Sequence, residues 1–282
     1  MRALSKRQGN EEAAAAFAAN RAVGSVELSA HTAAGATRRR IVRESGSLRV
    51  RFPNPDGAAL SAVLINTAGG VAGGDRFAFD LVAEAGANLV VTTAAAEKIY
   101  RSHGPAAELE VSLRAAEGSR IAWLPQETIL FDRASLSRRI SIDLAETAAI
   151  LCAEIVVFGR TAMAETLQNG RYVDRWQLRR GGRLVFAEAI RLEDDIAAKL
   201  QRPAVAGGGV AIATVLIVPA DDALAERVRD GAGQFRSEFG VSAWNGFALA
   251  RFCGADAAEL RRDVMALLTM IDPAALPRLW LN

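Results

Sequence analysis

The sequence is poor in the residues that hold metals and stack on ligands: 282 residues include 2 Cys, 2 His and 6% aromatics. Cys152 and Cys253 lie far apart, each inside an apolar segment. They read as buried, unpaired thiols of a reducing compartment. With His31 and His103 as the imidazoles, no His/Cys spacing fits a zinc site. Lysine is also scarce, so Arg supplies nearly all of the 34 cations. Most of these Arg are scattered singly, and Arg38-Arg39-Arg40 reads as the solvated end of a strand. A net charge of +2 leaves no field to draw in nucleic acid or an anionic membrane. The longest uncharged stretch, 204–220, holds three consecutive Gly and a Pro and is too short for a bilayer-spanning helix. The start, "MRALSKRQGNEEAAAAFAAN", has a basic end and an alanine run, but Glu11 and Glu12 interrupt any signal-peptide core. Residues 1–25 therefore read as a flexible leader, and the chain is expected to be soluble and cytoplasmic.

What is abundant is apolar residues, 51% of the chain, enough for a large core that needs no metal or disulfide. Their spacing is mostly two. "ELEVSLR" places Leu109, Val111 and Leu113 on one face; "RFAFDL" does so with Phe77, Phe79 and Leu81, and "RRISIDL" with Ile140, Ile142 and Leu144. "RWQLRRGGRLVF" predicts a hairpin turning at Gly181-Gly182. "ANLVVTT", "SRIAWLP", "AILCAEIVVFG" and "VAIATVLIV" are apolar on both faces, as strands sandwiched between layers would be. Turn signals recur at Asn54-Pro55-Asp56-Gly57, Ala85-Gly86-Ala87-Asn88, Glu117-Gly118-Ser119 and Asn169-Gly170. The expectation is a mainly β single domain over 26–282, without a clean internal repeat. Helical spacing is confined to the last quarter. "DAAELRRDVMALLTMI" opens with Asp256 and Glu259 in capping-box spacing and stops at Asp272-Pro273; "DDALAERVRDG" turns Leu224 and Val228 inward and ends at Gly231.

Three stretches could carry chemistry. "NTAGGVAGGDRF" looks like a phosphate cradle, but Gly69, Gly70, Gly73 and Gly74 are followed by a strand instead of the helix N-terminus that such a cradle needs. The glycines read as a connection between strands, and Asp75 is left as a carboxylate that requires a partner. "TTAAAEKIYRS" gathers Glu97, Lys98, Tyr100, Arg101 and Ser102 after an apolar strand, with a local ion pair as the plain reading. "WLPQETILFDRA" sets Pro125, Gln126 and Glu127 between two apolar runs. Glu154 and Glu188 interrupt otherwise buried-looking strands, so each must be paired or face a wet cavity.

Taken with "GATRRRIVRESGSLRVRFP", "FGRTAMAE" and the terminal "LPRLWLN", these stretches are collinear with, and the sequence resembles, the urease accessory protein family UreD, called UreH in some bacteria. The family pattern usually has His-Pro-Pro-Gly-Gly where this chain has Asn66-Thr67-Ala68-Gly69-Gly70, and a small polar residue in some relatives where it has Glu97. The resemblance implies β-helix-like layered sheets with two C-terminal helices. It also implies a non-enzymatic scaffold that binds UreF, and through it the GTPase UreG, and docks on apo-urease to deliver nickel through an internal polar tunnel.

On the resemblance, Asp75, Glu97 and Glu188 line that path, with Glu154 as a fourth, and the glycines with Lys98, Tyr100, Arg101, Ser102, Pro125, Gln126 and Glu127 are motif residues. No permanent cofactor is expected, only transient Ni2+. Scattered carboxylates suit a conduit, because a His and Cys cluster would retain the ion. The alternative is a carboxylate-dependent hydrolase of the glycosidase type, against which the shortage of aromatics argues. The terminal "LPRLWLN" either helps to form a partner surface or packs back on the core.

Overall fold

The computed structural model describes residues 21–54, 57–160, 163 and 165–281. The period-two segments form strands in the places expected. β1 (Val23–Ala33) and β2 (Ala36–Ser45) make a hairpin, and β3 (Leu48–Arg51) leads into β4 (Leu60–Asn66). Then follow β5 (Arg76–Ala83), β6 (Asn88–Thr93), β7 (Glu97–Ile99), β8 (Ala107–Ala115), β9 (Arg120–Trp123) and β10 (Thr128–Leu130). β11 (Ser135–Leu144), β12 (Ala149–Arg160), β13 (Glu165–Thr166), β14 (Asn169–Arg180) and β15 (Arg183–Asp195) complete the coiled part.

From β4 the chain winds as a solenoid. β5, β8, β11 and β14 lie parallel in the first sheet, and β4, β6, β9 and β12 lie parallel in the second. Arg76 stands beside Glu108, Glu108 beside Ser137 and Ser137 beside Val173, so each coil takes roughly thirty residues, a solenoid period. The absence of a repeat in the sequence is thus corrected by a repeat of the backbone. Each coil needs alternation and turns, which many sequences supply. On a third side β10 pairs in parallel with both β7 and β12.

The second sheet is extended antiparallel by β16 (Ala211–Val218), β18 (Phe247–Gly254) and β17 (Glu238–Trp244). Helices α1 (Ile196–Leu200), α2 (Asp222–Gly231) and α3 (Ala257–Ile271) complete the fold. One hydrophobic cluster fills the space between the sheets. A second lies on the outer face of the second sheet under α2, α3 and Trp280. β12 serves both, with Ile150 and Cys152 inward and Leu151 and Ala153 toward the helices, which explains why it is apolar on both faces.

Several expectations change in detail. α1 precedes the last quarter; its cap, Asp195, was hidden in sequence because β15 runs straight into it. Of the two longer helices, α3 is capped as read, Asp256 accepting from the Glu259 amide at 2.8 Å. Gly231 ends α2 in a right-handed conformation and is not a left-handed cap. Asn169-Gly170 opens β14 instead of making a turn. Cys152 is buried, but Cys253 is only partly so. Residues 23–25, read as leader, already belong to β1; residues 1–20 lie outside the described ones, as do Pro55, Asp56, Thr161, Ala162 and Ala164.

Candidate functional site

The three stretches singled out for chemistry are successive passes of the chain around one corner of the solenoid, where it crosses from the second sheet to the first. The loop 67–75 leaves β4, the stretch 97–102 follows β6, and 124–134 follows β9. Val71 donates to the Lys98 carbonyl and Tyr100 donates back to the Val71 carbonyl, both at 2.8 Å. Glu97 donates to the Glu127 carbonyl and Ser102 to that of Arg133, at 2.8 and 2.9 Å. The Arg101 backbone bridges Ala134, and the Tyr100 and Phe131 rings meet edge to face at 5.2 Å.

The glycines are what let these passes stack. Gly69, Gly70 and Gly74 have positive φ, and a Cβ at Gly70 would enter the Tyr100 ring. One at Gly73 would strike the Ser102 hydroxyl. Tyr100 fixes the loop by donating its hydroxyl to the Gly69 carbonyl at 2.8 Å.

Asp75 closes this loop from within. It is 4% exposed, and its two oxygens accept from the Ala22 and Ala72 amides at 2.9 and 2.7 Å. Both are thereby committed to backbone. Glu97 differs. Its carboxylate receives the Asn66 amide at 3.2 and 3.3 Å, and Glu97 takes no part in the local ion pair read for this stretch. Asn66 also donates to the Gly70 carbonyl at 3.0 Å, which ties the carboxylate to the loop. Asn66 and Glu97, the two positions noted for departing from the family pattern, thus touch each other. Burial pushes the Glu97 carboxyl up from 4.5 to about 7, Asn66 opposing and the nearby Asp75 charge adding to the rise. Glu97 lines a cavity of about 200 Å³ with Asn66, Thr93, Lys98 and Phe79.

Glu154 lies deeper, in a dry cluster that joins the two sheets. Arg138 of β11 donates to Asp174 of β14 at 3.0 and 2.6 Å and to Glu154 of β12. Trp123 donates to Glu154 at 2.7 Å, and Tyr172 and Trp176 donate to Asp174 at 2.9 and 3.0 Å. Arg138 and Asp174 are each 2% exposed. Burial raises the Glu154 carboxyl against the pull of Arg138; burial also opposes the Arg138 charge, but Asp174 and Glu154 hold it well above its ordinary range. The set is neutral when one of its two carboxyls keeps a proton. Between this cluster and the corner cavity stands Phe79, packed on Trp123 at 6.1 Å.

Glu188 is in neither place. It lies on β15, four strands from β5 in the first sheet, and pairs with Arg251 of β18. The four acids read from sequence therefore fall into three environments: Asp75 and Glu97 at the corner, Glu154 in the core and Glu188 at the far edge. Sequence reasoning missed Arg138 and Asp174. Their signal was parity: Arg138 is in phase with Leu136 and Ile140, Asp174 with Tyr172 and Trp176.

The C-terminal segment packs back onto the third motif. Trp280 is 1% exposed, donates to the Leu124 carbonyl at 2.9 Å and lies under Arg261, which also holds Glu127 at 2.7 Å. Gln126 donates to the Leu279 carbonyl at 3.2 Å. Of the tail's apolar residues, Leu281 stays exposed. Among the described residues no three His, Cys, Asp or Glu side chains converge on a metal position, and no helix is long and apolar enough to cross a membrane.

The family model described as UreD urease accessory protein matches residues 22–281, nearly the whole solenoid and its helices. The chain belongs to the UreD urease accessory protein family. It is 62% identical to the urease accessory protein UreD of Rhodopseudomonas palustris strain BisA53, over 95% of this chain and 93% of that protein. It is 60% identical to the UreD of Bradyrhizobium diazoefficiens, over 94% and 96%. The corner motifs are therefore features of a UreD fold. Of the three acids placed along its corner and core, Asp75 and Glu154 are fully engaged and Glu97 is the one poised to exchange a proton.

Proposed function

We propose that this chain is a cytoplasmic, non-enzymatic scaffold of urease maturation. It binds UreF, and through it the GTPase UreG, docks on apo-urease, and helps pass Ni2+ toward the urease active site. Membership of the UreD family supports the assignment to urease maturation, and the names of the relatives agree. The observation that carries the nickel reading is the corner cavity, where Glu97 presents a carboxyl with a pKa of about 7 beside Asp75. Such a group attracts a divalent cation when ionised and releases it on protonation, and a single carboxylate holds a borderline ion weakly. Glu188 is a further station in this reading, while Asp75 and Glu154 act by holding the walls. The hydrolase alternative is disfavoured because it needs two free carboxyls at fixed separation, and Asp75 and Glu154 are both committed.

Co-expression with urease structural subunits, UreF and UreG tests the proposal through nickel content and urease activity. Deletion of the chain is expected to abolish both, and Glu97→Ala and Glu188→Ala to lower nickel content in folded protein. Unchanged loading on deletion overturns the maturation role. Loss on deletion with wild-type behaviour of both variants leaves the scaffold and removes these residues from the path.

A further inference from the structure

The outer face of the first sheet is charged along its whole width, but its two ends are built differently. Toward β2 most of the cations have a carboxylate partner: Arg76 with Glu108 at 3.4 Å, Arg114 with Asp80 at 2.7 Å and Arg43 with Glu27 at 2.7 Å, while Arg38 stands apart from any like neighbour in the register. Toward β15, exposed Arg139 and Arg179 and half-buried Arg175 lie on this outer face with no hydrogen bond or ion pair among the described residues. Arg139 and Arg175 stand side by side in the parallel register of β11 and β14, where like charges repel. Glu110 and Asp143 occupy the flanking register positions without coming within ion-pair distance.

The floor around these guanidinium groups is low and apolar. Ala189 stands beside Arg175, Ala187 beside Gln177, and Leu184, 49% exposed, beside Arg179. Nothing in the fold uses this arrangement, and the adjacent like charges oppose it.

We propose that this patch is a docking surface for an acidic segment of a partner protein, one that carries small apolar side chains between its carboxylates. Arginine suits such a surface because its planar fork takes a carboxylate with two hydrogen bonds, and Arg is enriched where interfaces concentrate their energy. The alanine floor lets a partner backbone approach closely. A nucleic acid is the poorer fit: the whole chain has a net charge of +2, without the long-range field that phosphate binding exploits. The surface lies on the opposite face of the sheet from the corner cavity and the buried cluster, so it is independent of the nickel path.

The test is fluorescence anisotropy with the full chain and a labelled synthetic peptide alternating glutamate with alanine and leucine. The variant Arg139→Ser/Arg175→Ser/Arg179→Ser is expected to weaken peptide binding by about tenfold or more and to flatten its salt dependence. Arg38→Ser/Arg39→Ser, at the other edge of the sheet, is expected to change it less than about twofold. The triple variant should fold at least as stably as wild type, since it removes a repulsion; Arg→Gln replacements at the same positions give a second reading if it does not. An equal loss in the control, no peptide binding at low salt, or tighter binding of a DNA duplex than of the peptide overturns the proposal. Urease activity plays no part in this assay, so its failure leaves the maturation proposal standing, and the reverse holds.

Discussion

Two polar regions lie within one solenoid and are built on opposite principles. The Arg138 cluster is dry and saturated: a guanidinium, two carboxyls, two indoles and a phenol satisfy one another across both sheets. The corner is partly open, and its free group, Glu97, has an amide as its hydrogen-bonding side chain. The difference teaches where change is tolerated. In the cluster each charge exists to neutralise another, so it fixes the distance between sheets. At the corner the backbone does the fixing, through positive-φ glycines and Asp75, which leaves one carboxyl free to change its protonation.

The largest expected effect comes from breaking the cluster. Arg138→Met leaves two buried carboxyls without their cation and should cost about 3–5 kcal/mol of stability, read as a lower urea midpoint. A cost below about 1 kcal/mol would mean that the sheets do not depend on the cluster.

Glu97→Gln should act in the other direction, and with pH. The folded-state pKa of about 7 exceeds the unfolded value of about 4.5, so the folded protein holds this proton more tightly. Below pH 4.5 both states are protonated and the group is neutral in its effect. As pH rises to 7 the unfolded chain ionises first, and stability is lost, to a plateau above 7. Glu97→Gln is therefore expected to gain about 1–3 kcal/mol at pH 8 and nothing at pH 4, in parallel urea titrations. A pH-independent difference would show that Glu97 is not the titrating group.

Asp75→Asn retains one acceptor and leaves either the Ala22 or the Ala72 amide unsatisfied, for a cost of about 1–2 kcal/mol. It should also lower the pKa of Glu97 by removing a neighbouring charge, visible as a shift of the same stability profile toward acid. At the small end, Arg114→Ala breaks an exposed pair with Asp80 and should cost about 0.2–1 kcal/mol, the reference against which the cluster is judged.

Much of this was legible in advance and some was not. The inward faces of β5, β8 and β11 were readable, as was the reinterpretation of "NTAGGVAGGDRF" as a link between strands, because a strand and not a helix follows it. The need of Asp75 for a partner was also readable, but its partners are backbone amides, and no side-chain pattern announces those. Glu154 was recognised as a charge requiring compensation; Arg138 was passed over because "RRISIDL" was read for its isoleucines. The stretch holding Glu97 was read as a local ion pair, whereas alternation sends adjacent strand residues such as Glu97 and Lys98 to opposite faces and leaves Glu97 to Asn66.

The sequence by itself determined what is local: strand positions, the face each side chain takes, the capped helix α3 and the turn glycines, all set by spacings of two to four residues. Tertiary structure decided which strands are neighbours, and so which charges meet. Parallel pairing joins segments a full coil apart, and nothing in a strand's alternation names its partner. That is why Glu154 and Asp174 find Arg138, and why three of the motifs that carry the family resemblance prove to stack at one corner of successive coils.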